Sequence, residues 1–172
     1  VNYQIDSVAA QNLLNAGLGF AENDQITLAV GPTGASVDGT VDAAAGTHLT
    51  TSLKDLQKLG VDAVNLSGLS GDSFSLSLGG ALGDINFTNS DGLPQFADGL
   101  NITLDIPFGS NTLDVDGNPN SFSEIDSIVS DASNVAQQLG DAGIDRLDIA
   151  GDTPVNYQID SVAAQNLLNA GL

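Results

Sequence analysis

The chain contains no cysteine, methionine or tryptophan. Without thiols it has no disulfide framework, no thiolate metal site and no thiol nucleophile. Cations are nearly as scarce: Lys54, Lys58 and Arg146 stand against 22 acidic residues, for a net charge of -19. Such a surface repels nucleic acid and anionic membrane, and it offers an anionic substrate little to hold it. Glutamate is also rare, since every acid except Glu22 and Glu124 is Asp. Aspartate favours caps, turns and hard-cation sites over helix surfaces. No stretch approaches the roughly 18 apolar residues of a membrane helix, which speaks against direct membrane insertion. No secretory leader opens the sequence either. It starts at Val1 and so reads as part of a longer protein.

What is present is a repeat. The segment VNYQIDSVAAQNLLNAGL occupies Val1–Leu18 and returns letter for letter at Val155–Leu172, a period of 154 residues. Residues 1–154 therefore read as one complete module and 155–172 as the start of the next. A period of that length with 41% hydrophobic residues suffices for one buried core. It far exceeds the unit of an ordinary solenoid, so any solenoid-like units must lie inside it. Two stretches, GVDAVNLSG at Gly60–Gly68 and GIDRLDIAG at Gly143–Gly151, share a pattern of Gly, aliphatic, Asp, and then alternating aliphatic positions.

Periodicity predicts a helix over Ser7–Ala16, capped by Asp6 or Ser7 and stopped by Gly17, with Val8, Ala9, Leu13 and Ala16 facing inward. Ile26, Leu28 and Val30 predict a strand ending at Gly31-Pro32. Thr33–Thr47 reads as loop, with room for a short strand at Ser36–Val41. Ser52 caps a second helix whose apolar face is Leu53, Leu56 and Leu59, ended by Gly60. Strands then follow at Val64–Leu66 and at Ser73–Leu78, where strict alternation of Ser with Phe74, Leu76 and Leu78 suggests an edge or one-sided position. A short strand at Ile85–Phe87, a turn of helix at Leu93–Ala97 and a strand at Ile102–Ile106 come next. The longest helix is expected from Ser123 to Leu139, before a strand at Leu147–Ile149. Helix leading directly into strand, several times over, predicts an α/β or α+β fold with helices packed on a sheet.

The strongest candidate for metal chemistry is the run Asp114, Asp116, Asn118, Asn120, with Glu124 beyond it. Aspartates two apart with Gly117 after the second let oxygen ligands converge around a tight turn, as Ca²⁺ requires. The run resembles the calcium loop of EF-hand proteins in part: with Gly117 at the invariant glycine, Thr112 falls first and Ser123 takes the place of the bidentate glutamate. Gly79, Gly80, Gly83 and Asp84 form a single glycine-aspartate turn. Asp145, Asp148 and Asp152, with Asp62 and Asn65 at matching places, would form an acidic ridge if units stack. Catalytic signatures are thin. His48 is the only histidine, and Gly68-Leu69-Ser70-Gly71 lacks the second glycine of a nucleophile elbow. The expectation is a protein that is not an enzyme, with a carboxylate-dependent hydrolase as the remote alternative.

In its long-period duplication, its Asp-rich and Cys-free composition and its recurrent helix-plus-GVDAVNL strand theme, the chain resembles the tandem repeats of large secreted or surface-attached bacterial adhesins and hemolysin-type proteins. That resemblance implies an extracellular or cell-surface structural or adhesive extension module, rigidified by calcium. Its partners would be neighbouring copies of the same repeat. A module that itself binds glycan or another cell-surface ligand is the alternative, and Val155–Leu172 is expected to dock on the opening face of its own copy or on the next molecule.

Overall fold

The computed structural model describes residues 1–30, 39–42, 46–49, 51–67, 73–87, 92–97, 99–106, 123–130, 134–149 and 157–172. The described elements are, in order, β1 (Asn2–Asp6), α1 (Ser7–Ala16), β2 (Gln25–Ala29), β3 (Gly39–Asp42), β4 (Gly46–Leu49), α2 (Leu53–Leu59), β5 (Ala63–Asn65) and β6 (Ser73–Ser77). A 3₁₀ turn (Leu82–Asp84), β7 (Gln95–Phe96), β8 (Asn101–Asp105), α3 (Ser123–Val129), α4 (Val135–Asp141), β9 (Arg146–Asp148) and α5 (Ser161–Ala170) complete them.

The strands form two small sheets. One has the order β1-β2-β5-β7 and is parallel throughout; the other has the order β3-β4-β6-β8-β9 and is parallel apart from the β3–β4 hairpin. From β4 to β8 the chain visits the two sheets alternately, and each visit lays its strand beside the previous one. The result is a mixed α/β domain in which position along the chain becomes position across the sheets. Apolar residues at alternate positions point inward: Ile26, Leu28 and Val30, then Phe74, Leu76 and Leu78, then Ile102, Leu104 and Ile106 are all buried. They join Leu53, Leu56 and Leu59 of α2 and Ile125, Ile128 and Leu139 of α3 and α4 in one cluster. Each fully buried side chain of this size contributes roughly 1.5–3 kcal/mol.

The two GVD/GID stretches prove to be halves of a larger internal duplication. Phe20 donates its N–H to Leu59 O at 2.8 Å, and Phe96 donates to Ala142 O at 2.8 Å. Asp62 N–H reaches Ile26 O and Asp145 N–H reaches Ile102 O, both at 2.9 Å. In return the Asp62 carboxylate accepts Ile26 N–H at 2.6 Å and the Asp145 carboxylate accepts Ile102 N–H at 2.9 Å. Gly60 (φ +74°) and Gly143 (φ +97°) sit where a Cβ would lie 3.0 and 2.9 Å from the carbonyls of Phe20 and Phe96. Both positions need a left-handed backbone and bare contact at once, which only glycine supplies. Phe20–Val30 (FAENDQITLAV) and Phe96–Ile106 (FADGLNITLDI) share Phe, Ala, Ile, Thr and Leu in register. One lies in each sheet.

Several expectations change. Ile85–Phe87 is not a strand; the 3₁₀ turn ends just before it. Leu93–Ala97 holds a two-residue strand rather than helix, because Gln95 and Phe96 pair with Ala63 and Val64 of β5. β6 is neither an edge nor open on one side: it lies between β4 and β8, and its serines are half-buried. The expected long helix is two helices, with Asn134 at φ 53° starting the second. Of the expected Ser36–Val41 strand, residues 39–41 belong to β3 and 36–38 lie outside the described residues; β3 has a partner, β4, that the periodicity did not reveal.

Candidate functional site

The feature that most distinguishes this molecule is the pair of identical eighteen-residue segments. Both fold into the same helix, because the signals that make it are local. Asp6 accepts Ala9 N–H and Asp160 accepts Ala163 N–H, each at 2.8 Å. Gly17 and Gly171 close the two helices in the left-handed conformation. Such an aspartate cap is worth about 1 kcal/mol.

Their surroundings differ. α1 packs on β1, β2 and α2, whereas α5 packs chiefly on α4 and α3, away from the opening face. In α1 the face formed by Ser7, Ala10 and Leu14 turns inward: Ser7 and Ala10 are fully buried and Leu14 half-buried. In α5 it is the next face round, Ala163, Asn166 and Ala170, that is covered. Ala9 and Ala16 belong to the inward stripe expected for the first helix, and the second copy is the one that buries both of their counterparts. Val8 is exposed in the first copy, as is Val162 in the second. The strand β1 forms only in the first copy, where β2 is present to pair with it; residues 157–160 carry no strand.

The seat of α5 is specific. Asn166 donates from Nδ2 to Val129 O at 3.0 Å, meeting the end of α3. Tyr157 donates its hydroxyl to Asp126 Oδ1 at 2.5 Å. Burial first, and then the bond and negative charge of Asp126, push the Tyr157 phenol well above the usual tyrosine range. Gly140 supplies the closest approach: a Cβ there would lie 1.9 Å from Ala170 O. No residue but glycine leaves room for the end of α5 against α4.

The expected calcium ligands Asp114, Asp116, Asn118 and Asn120 lie outside the described residues. Glu124 stands in the first turn of α3, and its Oε2 accepts Leu82 N–H at 2.6 Å, tying α3 to the 3₁₀ turn. Among the described residues, no three of His, Asp and Glu gather as metal ligands would. Of the residues expected in an acidic ridge, Asp62 and Asp145 fasten neighbouring strands, Asn65 accepts Ser67 N–H at 3.0 Å, and Asp152 lies outside the described residues. Asp84 of the glycine-aspartate turn pairs with Lys54 at 3.2 Å in solvent. The stretch Gly68-Leu69-Ser70-Gly71 also lies outside the described residues.

A groove of about 850 Å³ runs between the 3₁₀ turn and the α3–α4 pair, lined by Leu82, Ile85, Phe87, Glu124, Val135 and Gln138 among others. Glu124 is the only ionisable group among its lining residues. Among the described residues, no helix is long and apolar enough to cross a membrane. Comparison of the chain with protein-family models, curated proteins and solved structures finds no match.

Proposed function

We propose that residues 1–154 form one module of a tandem array, that 155–172 begin the next, and that the array is a structural or adhesive extension of a large secreted or surface-attached protein. The observation that carries this reading is the recurrence of one capped helix at both ends of a body whose parallel strands are added in chain order. A body built that way extends by repetition without a new kind of contact. Its setting is extracellular or at the cell surface, and its partners are neighbouring copies. A Ca²⁺ ion held by Asp114, Asp116, Asn118, Asn120 and Glu124 stiffens the module and offsets part of the net charge of -19.

Small-angle scattering from chains of one, two and three repeats tests the reading. With at least four strands per sheet at about 4.8 Å spacing, each repeat adds roughly 20 Å to a stiff rod. Growth with the square root of repeat number, as for beads on a flexible string, contradicts it.

One observation favours a ligand-binding alternative: Tyr3 is 58% exposed beside Phe20, with ring centroids 6.2 Å apart. A glycan array with wild-type and Tyr3→Ala chains tests it. Binding lost in the variant supports a glycan site. Silence on the array leaves Tyr3 to protein contact.

A further inference from the structure

We infer that the outer face of β1 and α1, carrying Tyr3, Asn12 and Ala16, is a docking surface for the α3–α4 face of a second copy of this chain, and that α5 occupies that face as an internal stand-in. This deepens the array reading and rests on it in one respect, the identity of the two segments.

Three residues of this outer face, Tyr3, Asn12 and Ala16, have counterparts that are covered when the same sequence sits on α3–α4. Tyr3 is exposed, while Tyr157 is half-buried and bonded to Asp126. Asn12 is exposed, while Asn166 is half-buried and holds Val129 O. Ala16 is exposed, while Ala170 is buried against Gly140. The reverse also holds. Ile5 is buried under its neighbours, while Ile159 is 46% exposed; Leu14 is half-buried, while Leu168 is 71% exposed. Tyr3, Asn12 and Ala16, bare in the first copy, are thus covered in the second, and Ile5 and Leu14 the reverse, while Val8 and Val162 face solvent in both; superposing the two environments covers one segment on two sides.

The sequence agrees. In a chain with 22 acids, Val1–Leu18 carries a single charged side chain, Asp6, and that one is used as the helix cap. A helix meant for solvent in so acidic a protein would carry aspartate on its outer face. This one carries Val8, Asn12, Asn15 and Ala16 and no charge, so it can be covered without burying an ion. The contact joins the opening end of one copy to the closing end of another, so it is head-to-tail and open-ended. In the isolated chain the tethered α5 outcompetes a second molecule through its high effective concentration.

The test uses the full chain. Ala163→Glu with Ala170→Glu puts charges on the covered face of α5 alone and unseats it. The expected result in sedimentation velocity is a monomeric wild type, a double variant that forms dimers and longer species as concentration rises, and a return to monomer when Ala16→Glu is added. A folded double variant that stays monomeric overturns the inference, as does association that survives Ala16→Glu. Should the double variant not fold, annealing concentrated wild type through a temperature at which α5 frays gives a second readout. A ladder of oligomers in wild type that is missing in Ala16→Glu supports docking; equal ladders, or none in either, overturn it. Failure here combined with rod-like scattering from multi-repeat chains retires this contact and leaves the array. Bead-like scattering retires the array itself.

Discussion

Replacing Gly140 by alanine sets two effects against each other. Gly140 lies in α4, where alanine is favoured over glycine by up to about 1 kcal/mol, and by less near a helix end. On α4 alone the change is mildly stabilising. The new methyl, however, would sit 1.9 Å from Ala170 O, where ordinary contact is about 3.5 Å, so α5 must withdraw by roughly 1.5 Å. Withdrawal strains the Asn166 bond to Val129 O and opens the packing around Ala163 and Ala170. Overpacking of this kind costs about 1–3 kcal/mol. The net expectation is a loss of about 1–2 kcal/mol in the wild-type chain. In the Ala163→Glu, Ala170→Glu background, at concentrations dilute enough to keep it monomeric, α5 is already unseated and the same substitution becomes neutral or gains a few tenths of a kcal/mol. Urea unfolding followed by far-UV circular dichroism gives both numbers. Tyrosine fluorescence in a Tyr3→Phe background reports α5 separately, since Tyr157 is then the only tyrosine and no tryptophan masks it. Equal effects in the two backgrounds, or a stabilised wild type, would refute the reasoning.

Two further outcomes follow from the geometry and one from the proposed calcium site. The raised Tyr157 pKa has an alkaline consequence: below the ordinary tyrosine value of about 10 the phenol is protonated in folded and unfolded chains alike, but above it the unfolded chain loses the proton first, so stability falls as pH rises. Urea midpoints measured between about pH 9 and 11.5 should drop more steeply for wild type than for Tyr157→Phe; parallel curves would count against the burial of this hydroxyl. Asp62→Ala and Asp145→Ala each leave a part-buried strand N–H without its acceptor and should cost about 1–3 kcal/mol in urea unfolding. The Asn variants should cost less, and a silent Asp145→Ala would break the equivalence of the two halves. Calorimetric titration with Ca²⁺ should show binding that disappears in an Asp114→Ala, Asp116→Ala chain; heat that persists in that chain would place the ion elsewhere.

Signals confined to a few neighbouring residues were legible. Asp6 and Ser52 as caps, Gly17 and Gly60 as stops, and the alternation of Ile26, Leu28 and Val30 depend on contacts within a few residues, and the helices at Ser7–Ala16 and Leu53–Leu59 follow directly. What depends on a distant partner was not. A helix as uncharged as α1 has no charged face to mark its outside, so its buried stripe is set by whatever packs on it, and the two copies answer differently. The two residues of β7 become a strand through pairing with β5, which no local pattern announces. The apolar period continues through Ser130–Asn134, yet that run is poor in helix formers and Asn134 adopts a left-handed conformation. Small serines on β6 mimic a wet face while lying half-covered inside a sheet. The GVD and GID stretches were visible as a repeat, but the use of their aspartates follows from the register of the strand next door.

The most direct test of the account is the crystal structure of a two-repeat chain, residues 1–154 followed by 1–172. It should show the internal segment covered on both sides at once, with Tyr157 on Asp126 as now, and with residues 157–160 drawn into a parallel strand beside the second module's β2, so that Ile159 and Ala163 are buried together. An internal segment that keeps only its α3–α4 seat, with Ile159 still in solvent and the second module hanging from a linker, would contradict it.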